Sequence, residues 1–444
     1  MSPYPNLTSL PFHTIESGIL IDIVLALVSS PNELSIVDKN YIFHVLGPGG
    51  MPKGPLWDGR RLSPNRVQIP SAISIRDLEL HHQLRKPWNK AFSSGPLSDY
   101  DQILVSSAGE LLRHLEDTCS ASPDKIAHID ISKWISYFSF DFMGALVFGE
   151  NFDVMKFRDQ NQLIDKLNSA MRLIALVQHA PWIGGVIRLI QFGRKESHPL
   201  GEFTLRLAQR RAAQVSKQND FFYHLLQAID PEQQTSPLPY LVANVSVITV
   251  AGSDTASSAM TNAIYYLLCN PLYFSRLQEE IDRSSPLSEV NAIDLKILAT
   301  LPLLNAIINE TLRLQPPVPS GLQRAPAEKS GAKRLPSMQN SAVLIPPYVY
   351  HRDPRYFFPN PNIFWPERWL PDLKYEGEFR LDRSAFLPFS SGPANCVGKA
   401  LALQELRVIV SLMKFLRIEW VLSKEPGIFN PNRMPPTAYV IGLG

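Results

Sequence analysis

The chain has 444 residues, 45% hydrophobic and 19% charged, with 43 Lys plus Arg against 41 Asp plus Glu for a net charge of +2. That balance, without any dense Lys/Arg run, argues against a polyanionic partner such as nucleic acid, and the apolar content is enough for a large core. Three cysteines (Cys119, Cys269 and Cys396) are too few for a disulfide framework and fit a reducing compartment.

Residues 1–18 are weakly patterned. Ile19 to Val28 is the first apolar run, and Asp22 interrupts it. About 20 predominantly apolar residues are needed to span a bilayer, so this run predicts no transmembrane helix. It also lacks the basic start and small-residue cleavage site of a secretory signal. Asn6-Leu7-Thr8 fits a glycosylation sequon, a pattern that also arises by chance. The stretch from Pro31 to Asp38 predicts a strand leading into a short helix, and the Gly/Pro-rich piece from Gly47 to Arg61 predicts a loop.

His81 to Phe92 reads as a helix carrying Arg85, whose planar fork suits a carboxylate. The competing reading is a solvated basic face. His81 and His82 are adjacent and diverge on a helix, which disfavours a metal pair. From Tyr100 to Phe148 the pattern is helical, with Trp134, Phe138, Met143 and Phe148 as expected core. Further helices are expected over 153–236, broken at Pro181-Trp182-Ile183-Gly184-Gly185 and at Pro199.

Tyr240 to Cys269 predicts a long apolar helix with one polar interruption, Ala251-Gly252-Ser253-Asp254-Thr255. A buried charge is costly, so an Asp-Thr pair here asks for a reason. Small Ala251 and Gly252 would let a flat cofactor or diatomic ligand approach. Gly252 and the Thr255 hydroxyl could loosen the helical ladder into a notch. A helix cap or a surface Asp is the plainer alternative.

Glu310 and Arg313 lie three apart on one face of a helix from Asn305, where they can pair. Thirteen of the 38 prolines fall between Pro302 and Pro371 and mark a long irregular stretch after it. That stretch ends at Phe389-Ser390-Ser391-Gly392-Pro393-Ala394-Asn395-Cys396-Val397-Gly398-Lys399, followed by a strong helix pattern through Val410. Cys396 is thus placed on a tight turn at a helix N-terminus, where backbone N–H groups and the macrodipole favour a thiolate. Gly392 and Gly398 are expected to give the turn and a flat ligand room. One anchored thiolate suits an axial haem ligand; a structural cysteine after a loop is the alternative.

The pattern F-x-x-G-x-x-x-C-x-G resembles the haem-binding loop of the cytochrome P450 family, and GPANCVGK is most similar to its fungal members. The A-G-S-D-T and E-x-x-R patterns resemble that family's other motifs and occur in its order. The resemblance implies a mainly α fold with a small β subdomain, with residues 31–444 as one haem domain. Residues 1–30 are expected to be an atypical N-terminus without the family's membrane anchor and hinge, fitting either a naturally short chain or an incomplete gene model.

It further implies haem b with Cys396 as axial thiolate, Phe389 packed beside it, and Gly392 and Gly398 allowing approach. Arg85 and Arg324 take propionates, Asp254 and Thr255 relay protons, and Glu310, Arg313 and Arg368 form a supporting ion-pair set. Two positions depart from the family pattern. Ala394 stands where an Arg or His usually bonds a propionate, so that partner must come from elsewhere. His81 stands where a Trp is frequent. The segment 153–236 corresponds to the lid over the substrate pocket.

The implied activity is monooxygenation of a lipophilic small molecule, in fungal secondary metabolism. Dioxygen is the co-substrate. No flavin or nicotinamide segment is visible, so electrons would come from NADPH through a separate P450 reductase docking near Lys399. The resemblance places the chain at the cytosolic face of the endoplasmic reticulum with a peripheral membrane contact; a cytoplasmic protein is the alternative. The rival readings are a P450-fold dehydratase, isomerase or peroxygenase, and a non-catalytic haem-binding paralogue.

Overall fold

In the computed structural model the described residues are 26–30, 32–59, 72–123, 126–160, 162–165, 169, 172, 199–213, 219–228, 237–284, 293–326, 341–420 and 439–443. The N-terminal run before Ala26, the sequon, the break at Pro181–Gly185 and much of the lid segment lie outside them. Among the described residues no helix is long and apolar enough to cross a membrane.

The longer helices are α1 (Asn40–Leu46), α2 (Leu78–Ala91), α3 (Ser94–Ser120), α4 (Ile131–Phe148), α5 (Pro199–Ala213), α6 (Phe221–Ala228), α7 (Pro237–Cys269), α8 (Pro271–Ser284), α9 (Leu295–Thr300), α10 (Pro302–Leu314) and α11 (Lys399–Leu412). Local chemistry sets several of their ends. The Asp77 carboxylate accepts from Leu80 N at 2.7 Å to start α2. Asp130 and Asp294 cap α4 and α9 in the same way, satisfying amide groups that a helix start leaves without partners. Gly149, in the left-handed region at φ 67°, ends α4.

The expected strand and helix after Pro31 are β2 (Glu33–Ile36) and α1. β2 lies between β1 (Ala26–Ser30), antiparallel, and β4 (Ala342–Leu344), parallel. A second three-stranded sheet joins β3 (Ile126–Ile129), β8 (Tyr439–Leu443) and β7 (Leu416–Trp420), so the Tyr100–Phe148 stretch is two helices separated by a strand. β5 (Phe357–Phe358) and β6 (Arg380–Leu381) form a small ribbon. The architecture is therefore mainly α with small β sheets.

The main core is built where α4 packs along α7, with α3, α10 and α11 around them. α4 is apolar almost all round, as a central helix must be. Trp134, Phe138, Met143 and Phe148 are all buried there. A second apolar cluster joins Ile42, Val45, Leu46, Val343, Phe357, Trp369 and Leu387, and fixes the small β region against the chain that precedes Cys396.

Candidate active site

The chain from Leu387 to Gly398 forms the turn that presents Cys396. The Phe389 carbonyl accepts from Cys396 N at 2.9 Å, and the Gly392 carbonyl accepts from Asn395 N at 3.1 Å. Gly392 has φ 71°, and a Cβ there would meet the Leu46 carbonyl oxygen at 1.8 Å. Its small size therefore serves a close approach of backbone to the end of α1, rather than room for a flat ligand. Gly398 differs, since a Cβ there meets nothing nearer than Phe92 at 3.9 Å. The Phe389 ring packs against the main core, with Lys399 Nζ 5.8 Å from its centroid.

Cys396 is exposed at the mouth of this turn, just before Gly398 caps α11. Surrounding protein pushes its thiol above the ordinary cysteine range. The Gly398 N–H and the charges of Arg85 and Lys399 pull the other way without prevailing. The helix-start argument alone thus does not yield a thiolate in the polypeptide, whereas a coordinated metal would deprotonate the thiol outright.

Arg85, on α2, is committed to this loop. Its Nε donates to Asn89 Oδ1 at 2.8 Å, Nη1 to the Asn395 carbonyl at 2.9 Å and Nη2 to Asn395 Oδ1 at 3.0 Å. α2 is tied to α7 by Trp88 Nε1 donating to Asn244 Oδ1 at 3.2 Å. No local pattern points to Asn395 as the partner, because the two residues are 310 positions apart.

Arg324 is held differently. Its backbone bridges Lys53 on one side and Val343 on the other as an isolated pair of bridges. The residue is 2% exposed, yet Nε and Nη2 have no partner among the described residues. Burial pulls its guanidinium down to about 10. His81, also buried, is pushed down to about 4, first by burial and then by the charges of Lys53, Arg85 and Arg324. Arg324, Arg85 and Lys53 therefore converge around a neutral His81, beside the loop that carries Cys396. A buried guanidinium with two partnerless nitrogens among the described residues, together with an accessible thiol on the turn that Arg85 holds, fits an iron-containing planar group that carries carboxylates.

Opposite runs α7, continuous through the Asp-Thr motif from Pro237 to Cys269. The Thr255 hydroxyl donates to the Ala251 carbonyl at 2.7 Å, and Ser253 to that of Thr249 at 2.7 Å. These bonds back onto the helix without opening it, so the anticipated notch is absent from it. Gly252 likewise turns away from any ligand: a Cβ there would sit 2.7 Å from Met143 Sδ and Cε. Its smallness accommodates the α4 thioether. Ala251 and Asp254 are exposed, and Thr255 and Ser258 are half-buried, forming one stripe, while Ser253, Ala256 and Met260 face the core. Asp254's carboxylate has no hydrogen bond or ion pair among the described residues, and desolvation raises it above the usual carboxylate range.

Behind the cysteine loop, Glu310 is fully buried. Its Oε1 accepts from Arg313 Nη2 at 2.8 Å, Arg368 Nε at 3.1 Å and Trp365 N at 2.9 Å. Its Oε2 accepts from Arg313 Nε at 2.8 Å and Trp369 Nε1 at 2.9 Å. Two guanidinium groups against one carboxylate leave a positive charge over. The carbonyls of His351, Pro361 and Ile363 take the remaining donors of Arg313, and those of Pro359 and Asn360 take those of Arg368.

A family profile described as Cytochrome P450 matches residues 34–426. "Cytochrome P450 monooxygenase orf5" of Eupenicillium brefeldianum is 31% identical over 389 residues, covering 86% of this chain and 74% of that protein. "Cytochrome P450 67" of Uromyces fabae is 31% identical over 418 residues, covering 90% and 73%. "Tryprostatin B 6-hydroxylase" of Aspergillus fumigatus is 30% identical over 385 residues, covering 86% and 66%. Together with the motif order and the mainly helical fold, these matches mean that the chain belongs to the cytochrome P450 family.

Proposed function

We propose that the chain is a haem-thiolate monooxygenase that inserts one oxygen atom from dioxygen into a lipophilic small molecule. The observation that carries this reading is the accessible Cys396 thiol on a turn held by Arg85 through Asn395, with a second, buried arginine, Arg324, whose Nε and Nη2 have no partner among the described residues. Cys396 would supply the thiolate that holds the haem iron, with Phe389 beside it and Gly392 and Gly398 shaping the turn. Arg324 would take one carboxylate of the haem. Arg85 would take the other or, as in its present contacts, hold Asn395 and through it the loop. With Ala394 neutral, these two arginines and Lys53 provide the positive charge.

When bound, haem supplies the redox chemistry of dioxygen activation. The polypeptide's part is to hold the thiolate, exclude water and move protons. Asp254, accessible and unpaired, would take a proton from solvent. Thr255, one residue on along the same stripe, would pass it inward when its hydroxyl swings off the Ala251 carbonyl. Glu310, Arg313 and Arg368 would keep the proximal chain rigid and do no chemistry.

Electrons would come from NADPH through a separate reductase docking on the Lys399 side. The setting would be fungal secondary metabolism, a reading supported by a relative named as a tryprostatin hydroxylase. Residues 31–444 would form the single haem domain, attached peripherally to the cytosolic face of the endoplasmic reticulum. The test is turnover with a reductase, NADPH and isotopically labelled dioxygen on any compound that shifts the haem spin state. One labelled oxygen in the product is expected. Product without label, or turnover that needs neither NADPH nor reductase, contradicts the proposal and indicates an isomerase-, dehydratase- or peroxygenase-type reaction.

A further inference from the structure

His351 follows the short helical turn Pro347–Tyr350 and is fully buried. Its ring lies between Phe386, at 5.2 Å between centroids, and Phe357, at 6.2 Å. Each ring nitrogen meets a backbone group of fixed polarity. Nε2 is 2.8 Å from Leu387 N, and Nδ1 is 3.0 Å from the Arg313 carbonyl oxygen. An amide N–H can only donate and a carbonyl can only accept. One form of the ring satisfies both: neutral, with the proton on Nδ1. Burial, aided by the charges of Arg313 and Arg352, keeps it neutral by pulling it down to about 3.

The two partners belong to different parts of the site. Arg313 is locked to Glu310, and its Nη1 also donates to His351's own carbonyl at 2.6 Å. Leu387 opens the cysteine turn. Its carbonyl accepts from Ser390 N at 3.1 Å, and the Phe389 carbonyl accepts from Cys396 N. A path of hydrogen bonds and short backbone therefore runs from Glu310 through Arg313, His351 and Leu387 to Cys396, buried as far as Leu387.

We propose that His351 is a positioning residue for the metal ligand, setting the register of the Cys396 turn against the Glu310–Arg313–Arg368 scaffold through a ring that donates at Nδ1 and accepts at Nε2. The proposal rests on Cys396 being the axial ligand. It assigns a role to a histidine that the sequence left unmarked inside a proline-rich stretch. Losing the ring nitrogens would leave a buried amide and a buried carbonyl without partners and free the turn to shift.

Two variants separate hydrogen bonding from packing. His351→Phe keeps an aromatic ring between Phe386 and Phe357 but deletes both bonds. His351→Gln offers one donor and one acceptor on a single flexible amide. The readout is the share of the dithionite-reduced, haem-loaded full chain whose carbon monoxide complex shows the red-shifted Soret band rather than the unshifted one, with haem per protein and far-UV circular dichroism measured alongside. In His351→Phe the red-shifted share should fall severalfold with the fold retained, and His351→Gln should recover at least half of it. A folded His351→Phe protein with the wild-type share overturns the proposal, as does a Gln variant no better than Phe. If the Phe variant does not fold, the Gln result decides by the same threshold. Wild-type protein binding haem without the red-shifted band would instead contradict the assignment of Cys396, a distinct failure.

Discussion

On the cysteine side of the site, Glu310 accepts hydrogen bonds on both carboxylate oxygens from two arginines, a tryptophan ring and a main-chain amide, with the carboxylate and both arginines buried. On the α7 side, Asp254 has no polar partner among the described residues, and Thr255 bonds only to its own helix. The two acids are treated in opposite ways. A saturated buried network resists displacement because each lost partner leaves a desolvated group behind. An accessible acid with no fixed partner remains free to exchange protons. On the proposed reading, rigidity is concentrated where the thiolate ligand would be held, and freedom is kept where protons would move.

Substitutions sharpen that contrast. Glu310→Ala leaves two buried guanidinium groups without their carboxylate. It should destabilise the fold by about 3–5 kcal/mol in urea unfolding and give largely haem-free protein. Normal haem content would mean that the proximal network is dispensable.

Glu405 on α11 is a second buried acid on that side, with Oε2 unpartnered, and burial pushes it up to about 8. In the unfolded chain it ionises near the ordinary value. Folding therefore takes up a proton between about pH 4.5 and 8, and stability falls as pH rises through that window. The slope is up to about 1.4 kcal/mol per pH unit. Glu405→Gln should flatten this part of the stability–pH curve. An unchanged slope would show that Glu405 ionises freely in the fold.

Arg324 is the exception, buried with Nε and Nη2 without a partner among the described residues. Arg324→Leu should stabilise the haem-free polypeptide by about 1–3 kcal/mol, because an orphaned buried donor is removed, and should accelerate haem loss from the loaded protein. Destabilisation of the haem-free form would mean that Arg324 already has a partner. Thr255→Ala is the mildest change. It removes one hydroxyl bond within a helix, worth less than about 1 kcal/mol, yet should raise peroxide released per NADPH consumed. Unaltered coupling would remove Thr255 from proton delivery.

Much of this was legible in the sequence. The Cys396 turn, the long α7 with its Asp-Thr pair and the Glu310–Arg313 spacing are local patterns, and each lies on the element its periodicity indicates. What the sequence did not reveal is orientation and long-range pairing. Gly252 looked like room for a ligand, but Met143 on another helix occupies its open side. Gly392 looked alike, and it is the Leu46 backbone that requires it. Glu405 sits in a helix between Gln404 and Arg407 with nothing in its local sequence to mark it as buried, yet it is 2% exposed. The partners of His351 lie 38 and 36 residues away, and that of Arg85 lies 310 away. Such contacts follow from how elements pack, which periodicity does not encode.

The central claim, a rigidly held Cys396 thiolate on an iron, is tested most directly by the carbon monoxide difference spectrum of the dithionite-reduced wild-type chain, with Cys396→Ala as its comparison. The account predicts the red-shifted Soret band in the wild type and its loss in the variant. An unshifted band in the wild type, or a red-shifted band that survives Cys396→Ala, would contradict it.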